Sequence, residues 1–560
     1  GNFVLLNIFR ANIIYFIIYI ISMMFIKQYL DISSSIKFGI PNSVILIQPF
    51  LLFIFMCLNR SLGKYIITES LVYRFKDKKN ILIYGTGQIA LDLSFTLINS
   101  RKFNVIGFLN SSKLRNNEKI NSIKIYNIIQ LHELIKKYSI EEIIIADQNL
   151  SQSERNKIIN QIKKFGIHIK SIKSNLKFND EKVNLKSISE LEPNDLLGRN
   201  EIKDHSINFE ARLKDVTILV TGAGGSIGGE ICKQLINNKV KELIILDHNE
   251  FALYEIEKKL LNELKVRNTK ILIYTVLADV KNKESLIKVF KTYKIDVVYH
   301  AAAYKHVPIV EHNLAEGVKN NVFGTLVIAK ASIKWGINDF VFISTDKAVR
   351  PTNVMGATKR LSEICLQSLF ANKNENQLTK FSMVRFGNVL DSSGSVVPLF
   401  RNQIRNGGPL TLTHPKIIRY FMTITEASQL VLQSLSLASS GDLFLLDMGE
   451  PVLIKKLAEQ MIILSGKSLR NKENPQGDIE IKFIGLRPGE KLYEELLIDA
   501  ESSPTEHPLI FRAQEKSINH QQLFLMIEKL INFLERYDLL ESLKLLKELV
   551  PEWVEFVKKD

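Results

Sequence analysis

The chain has 560 residues, too many for a single core, so at least two domains are expected. Its 46% hydrophobic and 24% charged content is globular and excludes a disordered polymer. The formal net charge of +15 would suit an anionic substrate or membrane surface, but a Lys/Ile/Asn-rich composition spread over solvated surfaces accounts for it more simply; no signature of nucleic-acid binding accompanies it. The three cysteines, Cys57, Cys232 and Cys365, are odd in number and far apart, which fits reduced thiols and not a disulfide framework.

Two apolar runs open the chain, at 11–26 and 43–58. Each is shorter than the roughly 20 residues that span a bilayer, but they are adjacent and nothing nearby could cover both, so residues 1–62 are expected to be a membrane region with two transmembrane helices. There is no small-residue cleavage site of a secretory signal. Arg60, Lys64, Arg74, Lys76, Lys78 and Lys79 follow, which puts everything downstream on the cytoplasmic side of a multi-pass protein. The start with Gly1 suggests further spans ahead of it.

Residues 63–175 predict a Rossmann-like α/β domain: KNILIYGTGQIA (79–90), NVIGFLN (104–110) and EEIIIAD (141–147) alternate with helical stretches. The second strand ends in Asn110 where a ribose would need an acid, so a structural or regulatory role without dinucleotide is expected. Residues 176–213 form a polar linker containing Pro193 and Gly198. From 214 to 515, strands recur as TILVTG, ELIILD, KILIYTVLAD, DVVYHAAA, DFVFIST and KFSMVRFGNV, a doubly wound parallel sheet. Residues 516–560 carry leucines at helical spacing and read as packing helices.

Within the third segment, Thr221–Gly228 reads T-G-x-x-G-x-x-G. Gly222, Gly225 and Gly228 let the backbone turn and approach a pyrophosphate, with Ser226 and Ile227 opening the helix whose N-terminus faces it. Asp247 ends the next strand and would accept from the ribose hydroxyls. It would repel a 2′-phosphate, so NAD is expected over NADP. Asp279, beside Val280, is expected at the adenine; Ala301 and Ala303 are small enough to let the cofactor pass. Further on, Thr345, Asp346 and Lys347 stand in line, and Lys359 lies four residues after Met355. Lys359 is expected on the nicotinamide ribose. A tyrosine at 355 would take the proton of an oxidised hydroxyl; methionine cannot. Asp346 could protonate a departing hydroxide if its pKa is raised, and Lys347 could remove an acidic C–H proton if its pKa is lowered.

From about residue 42 to 513 the chain resembles the membrane-anchored nucleotide-sugar 4,6-dehydratases, an extended short-chain dehydrogenase/reductase group, and among them those acting on UDP-N-acetylglucosamine. The segments that carry this are IPNSV (40–44), LLGR (196–199), VTGAGGSIG, AAAYKHVPIVEHN (301–313), NNVFGT (320–325), STDKAVRPTNVMGATKR (344–360), RFGNVLDSSGSVVPLF (385–400), RYFMTI (419–424) and GLRPGEKLYEEL (485–496). Members of this long class are similar in carrying methionine at the tyrosine position. The resemblance implies a hydride taken from sugar C4 and returned to C6, with Lys347 removing the C5 proton, Asp346 protonating the C6 hydroxyl and Thr345 bonding the C4 oxygen. It places Lys305, Asn388, Arg419, Arg487 and Glu490 toward a UDP-sugar, implies no metal, and suggests self-association. Gly229 and Thr425 depart from the family's usual serine and proline. An inverting dehydratase, a nucleotide-sugar 4-epimerase and a non-catalytic NAD-binding membrane scaffold are the rival readings.

Overall fold

A computed structural model describes residues 2–33, 42–73, 78–100, 102–111, 118–147, 150, 152–172, 188–190, 209–238, 240–267, 269–371, 379–439, 441–495, 502–513, 515 and 520–554. By compactness the chain divides into two units. The first is chiefly Gly1–Asn127 with Leu134–Glu141; the second is Ile128–Glu133 with Glu142–Glu181 and Lys186–Asp560. The division runs through the segment 63–175. Most of the linker expected at 176–213, including the LLGR run, lies outside the described residues.

The first unit opens with two long helices, Asn2–Ser33 and Asn42–Tyr73. The two membrane spans expected here are not found in that form: among the described residues, no helix is long and apolar enough to cross a membrane. Asn12 and Gln48 interrupt the apolar character, and the run after Asn12 covers about 14 residues, roughly 21 Å at 1.5 Å per residue, against roughly 30 Å of hydrocarbon. Those polar groups bind the helices together. Tyr15 Oη donates to Gln48 Oε1 at 3.2 Å, Gln48 Nε2 lies 3.0 Å from Tyr15 Oη, and Asn12 Nδ2 donates to the Pro49 carbonyl at 3.5 Å. Around them Ile14, Ile18, Met24, Phe25, Phe50 and Phe55 are exposed. Downstream, the strand Lys79–Tyr84 pairs in parallel with Phe103–Asn110, which pairs in parallel with Ile123–Asn127.

The second unit holds a doubly wound α/β fold. Its main sheet has nine strands: β1 Thr217–Thr221, β2 Glu242–Asp247, β3 Leu272–Leu277, β4 Val297–His300, β5 Asp339–Ile343, β6 Lys380–Arg385, β7 Asp442–Leu446, β8 Ser502–Pro504 and β9 Ile510–Ala513. They lie in the order β3-β2-β1-β4-β5-β6-β7-β9-β8. The first seven are mutually parallel and β9 returns antiparallel. Chain order reverses at β1, between β2 and β4, and in such sheets the strand ends at that switch form the binding crevice. Central strands are buried on both faces, hence their near-continuous Val/Ile/Leu/Phe runs.

The helix Val354–Ala371 carries both Met355 and Lys359 and is buried along most of its length. The tail helices His520–Glu535 and Leu539–Leu549 pack Leu523, Ile527, Leu530 and Leu546 into a shared core with Leu361 and Ile364. Beneath that helix lies a charge network. Arg385 binds both Glu363 oxygens, at 2.8 and 2.5 Å, and both Glu515 oxygens, at 2.5 and 3.0 Å. Arg360 pairs with Glu515 at 2.6 Å, Glu363 at 3.3 Å and Glu552 at 2.9 Å. Burial alone would protonate Glu363, but Arg385, Arg360 and the Ser344 hydroxyl hold its pKa below the usual range. Removing one partner strands a buried charge. We therefore expect Glu363→Ala to lose about 3–5 kcal/mol, read as a fall in the thermal unfolding midpoint, whereas Glu552→Ala at the exposed end should cost far less.

Candidate active site

β1 ends at Thr221 and the chain turns through Gly222 into the helix Ser226–Leu235. Gly222 has φ +66°, and a side chain there would meet the Ala302 backbone at 2.6 Å. A side chain at Gly228 would collide with the Gly222 carbonyl. Glycine is thus required at both positions by the close approach of β4 and of the turn itself. Asp247 fastens the turn from the neighbouring strand: Oδ2 accepts from the Gly224 N–H at 2.9 Å and Oδ1 from the Asn249 N–H at 2.9 Å. His300 lies below, bridging Thr221 at 2.7 Å and Thr325 at 2.9 Å, and burial pushes its pKa down to about 3, so the ring is neutral.

Two adjoining cavities share the glycine turn, Ala301, Ala303 and Tyr304. The smaller, about 250 Å³, is lined by Asp247, His248, Ala278 and Val280. The larger, about 830 Å³, is lined by Gly222, Gly225, Ser226, Ile227, Gly228, Lys305, Thr345, Lys347, Met355, Lys359 and Asn388. The donor set fits a dinucleotide: an acid ends β2, backbone N–H groups open a helix at the middle, and a cradle of alanines and glycines leaves room between. Asp279 does not line either cavity. Its carboxylate accepts from the Lys281 N–H at 2.9 Å and pairs with the Lys281 ammonium at 3.6 Å, so Val280 takes the wall position.

Lys359 Nζ donates to the Ile343 carbonyl at 2.5 Å and sits 3.8 Å over the Phe342 ring. Burial pushes its pKa down to about 7, against the pull of Glu363. Met355 is buried beside it and offers no proton-transfer group. Thr345 caps the short turn Asp346–Ala348, accepting from the Lys347 N–H at 3.4 Å while its hydroxyl donates to Asp346 Oδ1 at 3.0 Å. Lys347 Nζ donates to Asp346 Oδ1 at 3.0 Å and to Asn388 Oδ1 at 3.1 Å. Asp346 is 2% exposed, and its Oδ2 has no hydrogen-bond partner among the described residues.

Removal of a C–H proton by Lys347 was conditional on a lowered pKa. Burial does act that way, but the Asp346 and Glu494 carboxylates outweigh it, and the pKa is raised. Arg419, Arg487 and Glu490 were expected toward the substrate, yet none lines either cavity. Arg419 is buried, donating to the carbonyls of Ile418 at 2.7 Å and Lys491 at 2.8 Å and pairing with Glu490 at 3.5 Å. Glu490 accepts from the Arg487 N–H at 3.1 Å and Thr413 at 3.1 Å, while the Arg487 side chain is exposed. Lys305 and Asn388 do line the larger cavity. Sequence reasoning missed Glu494, 3.8 Å from Lys347 and 3.6 Å from Arg419; its only signal was its place in the GLRPGEKLYEEL run.

Fold and site together define a doubly wound α/β protein with a dinucleotide-type crevice at the switch point of its sheet. The family model described as polysaccharide biosynthesis protein matches residues 218–515. The capsular polysaccharide biosynthesis protein CapD of Staphylococcus aureus is 42% identical over 434 residues, 77% of this chain and 70% of CapD. The probable polysaccharide biosynthesis protein EpsC of Bacillus subtilis (strain 168) is 44% identical over 65% of this chain and 58% of EpsC, so the chain spans little over half the length of that relative. The X-ray structure of Pen from Bacillus thuringiensis is 32% identical, with a TM-score of 0.47, over 57% of this chain and 99% of Pen. The chain belongs to the polysaccharide biosynthesis protein family.

Asp247→Ala removes a charged acceptor from the smaller cavity and frees the Gly224 N–H; at about 1.5–3 kcal/mol per such bond, the dissociation constant for NAD should rise roughly ten- to a hundredfold in a calorimetric titration. Lys359 makes a pH prediction. Its folded pKa, about 7, lies below the ordinary lysine value, so the unfolded chain binds more protons between them and stability rises with pH across that window. Without cofactor, Lys359→Met should raise the melting temperature most at pH 6, and that advantage should shrink steadily toward pH 10.

Proposed function

We propose that the chain is an NAD-dependent 4,6-dehydratase acting on UDP-N-acetylglucosamine, with configuration at C5 retained. The observation that carries this is the Asp346–Lys347 pair, 3.0 Å apart, with Lys347 in the wall of the larger cavity, Asp346 buried directly behind it and outside the lining, and Met355 where a hydroxyl base would stand. When bound, NAD supplies a hydride acceptor at sugar C4 and a hydride donor at C6. Asp247 would hold its ribose, the turn Gly222–Gly228 its pyrophosphate, and Lys359 its second ribose.

The chain's own groups handle the protons. Asp346 presents Oδ2, buried and without a partner among the described residues, as acceptor for the O4 proton. The same carboxyl then delivers that proton to the departing C6 hydroxyl. The ketone at C4 acidifies the C5 proton, which Lys347 removes and later returns to the same face. Thr345 holds Asp346 in position, and Asn388 steadies the amine. Lys305, exposed in the cavity wall, is a cation available to a diphosphate.

A second reading has one observation in its favour: a relative named UDP-glucose 4-epimerase in Rickettsia bellii (strain OSU 85-389) is 34% identical over 294 residues. Epimerisation has no use for an acid aimed at a C6 hydroxyl, so the products separate the two. Incubation with UDP-N-acetylglucosamine in deuterated water should give one deuteron at C5 and loss of the C6 oxygen; a C4 epimer that keeps that oxygen would sink the dehydratase. Asp346→Asn and Lys347→Met should each slow product formation about 10²–10⁴-fold while NAD titrates normally.

We further propose that the first two helices attach the protein to the bacterial inner membrane, with the catalytic unit on the cytoplasmic side, and that the chain self-associates. Exposed Ile14, Ile18, Phe25, Phe50 and Phe55 support attachment, since a continuous apolar surface of that kind is costly in water. Ile14→Lys with Ile18→Lys should abolish flotation of the full chain with lipid vesicles and leave the melting of the catalytic unit unchanged.

A further inference from the structure

The dehydration reading leaves a difficulty that the geometry itself addresses. A lysine that takes a C–H proton must first be a neutral amine, and Lys347 is held as an ammonium between two carboxylates. Asp346 cannot relieve it, because the same reading uses that carboxyl for the O4 and O6 protons. The other carboxylate is Glu494. Its side chain is 4% exposed, its Oε1 lies 3.8 Å from Lys347 Nζ and 3.6 Å from Arg419 Nε, and its Oε2 is buried with no hydrogen-bond partner among the described residues. It does not line the cavity, so it meets the substrate only through Lys347. A buried carboxylate oxygen left without a donor is costly and is seldom tolerated without use.

The segment around Glu494 is fixed from behind. Arg419 donates to the Lys491 and Leu492 carbonyls at 2.8 and 3.3 Å, and the Ile418 N–H donates to Leu492 at 3.3 Å. Arg419 is itself shared with Glu490 at 3.5 Å. The charged groups facing one another are thus Asp346, Lys347, Glu494, Arg419 and Glu490: three carboxylates against two cations. One further proton would make the set neutral; two buried oxygens in it lack donors among the described residues, Asp346 Oδ2, which the dehydration reading already uses, and Glu494 Oε2.

We propose that Glu494 is a positioning residue for the Asp346–Lys347 pair and the store for its mobile proton. An N–H bond of Lys347 breaks and an O–H bond forms on Glu494, leaving an uncharged amine. That amine takes the C5 proton of the 4-keto sugar and becomes an ammonium again. It gives the proton back to C5 after hydride has reached C6, and Glu494 then returns the stored proton to Lys347. No proton is gained or lost over the cycle, and no reagent is needed beyond the sugar and the nicotinamide cofactor. The separation of 3.8 Å is an ion-pair distance that closes to a hydrogen bond with a shift of about 1 Å.

The test uses the full chain, with Glu494→Gln and Glu494→Asp, in two measurements. In the first, without cofactor, the rate at which an amine-acylating reagent modifies Lys347 is followed against pH by peptide mass spectrometry. Loss of the Glu494 charge should move the Lys347 midpoint down by about one unit or more, since one of its two carboxylate neighbours is gone and Arg419 then has Glu490 alone to offset it; Glu494→Asp should restore most of the shift. In the second, with NAD and UDP-N-acetylglucosamine in deuterated water, Glu494→Gln should retain the first hydride removal, seen in nicotinamide absorbance, and lose at least about tenfold in deuterium uptake at C5. An unaltered Lys347 midpoint, unaltered C5 uptake, or equal loss of both steps in Glu494→Gln and Glu494→Asp would overturn the proposal. Absence of C5 uptake in the unsubstituted protein would instead defeat the dehydration reading on which it rests.

Discussion

Two guanidinium groups share one buried carboxylate beneath the catalytic helix, and the geometry of the site follows from that arrangement. Glu363 projects from the helix that presents Met355 and Lys359, Arg385 comes from the end of β6, and Ser344, at the end of β5, donates to Glu363 at 2.6 Å. The network therefore ties the helix to the two strand ends from which Thr345 and Asn388 follow. A hydrophobic contact could bury the same area, but it would leave the helix free to slide or rotate on the sheet. Paired charges with fixed hydrogen-bond directions do not permit that.

Above this floor the protein separates two lysines by their surroundings. Lys359 has one carboxylate in reach, and desolvation prevails, so its pKa falls to about 7. Lys347 is more open to solvent, 22% exposed against 5% for Lys359, and burial still acts to lower its pKa, but two acids face it and the pKa rises. One residue type thus gives an amine poised near neutrality on the helix Val354–Ala371 and a firmly held ammonium on the turn Asp346–Ala348. Neighbouring charge decides which effect wins.

The parallel sheet, the glycine turn and Asp247 were legible in the chain because each rests on local rules. Strand periodicity, a positive φ at Gly222 and an acid ending the next strand all act within a few residues. The Thr345–Asp346–Lys347 run was legible for the same reason. What the sequence could not show was pairing across long separations. Arg419 meets Glu490 and Glu494 some seventy residues on, and whether an arginine faces a ligand or a backbone carbonyl depends on a segment with no periodic signal. Asp279 shows the limit at short range, since its neighbour Lys281 turned the carboxylate away from the wall. The raised pKa of Lys347 was likewise unreadable, because its cause includes Glu494, 147 positions downstream.

The tail has a consequence for the order in which this protein matures. Its helices cover the back of the catalytic helix, Glu552 reaches Arg360 at 2.9 Å, and the Val554 N–H donates to the Pro351 carbonyl at 2.9 Å, just ahead of Met355. A nascent chain paused on the ribosome after β7 therefore has a finished cofactor crevice but an unsupported floor. Translation has to deliver these late helices before the catalytic helix is held in place from behind. The floor of the site is thus the last part of this unit to be synthesised, although the helix it supports was made roughly 150 residues earlier.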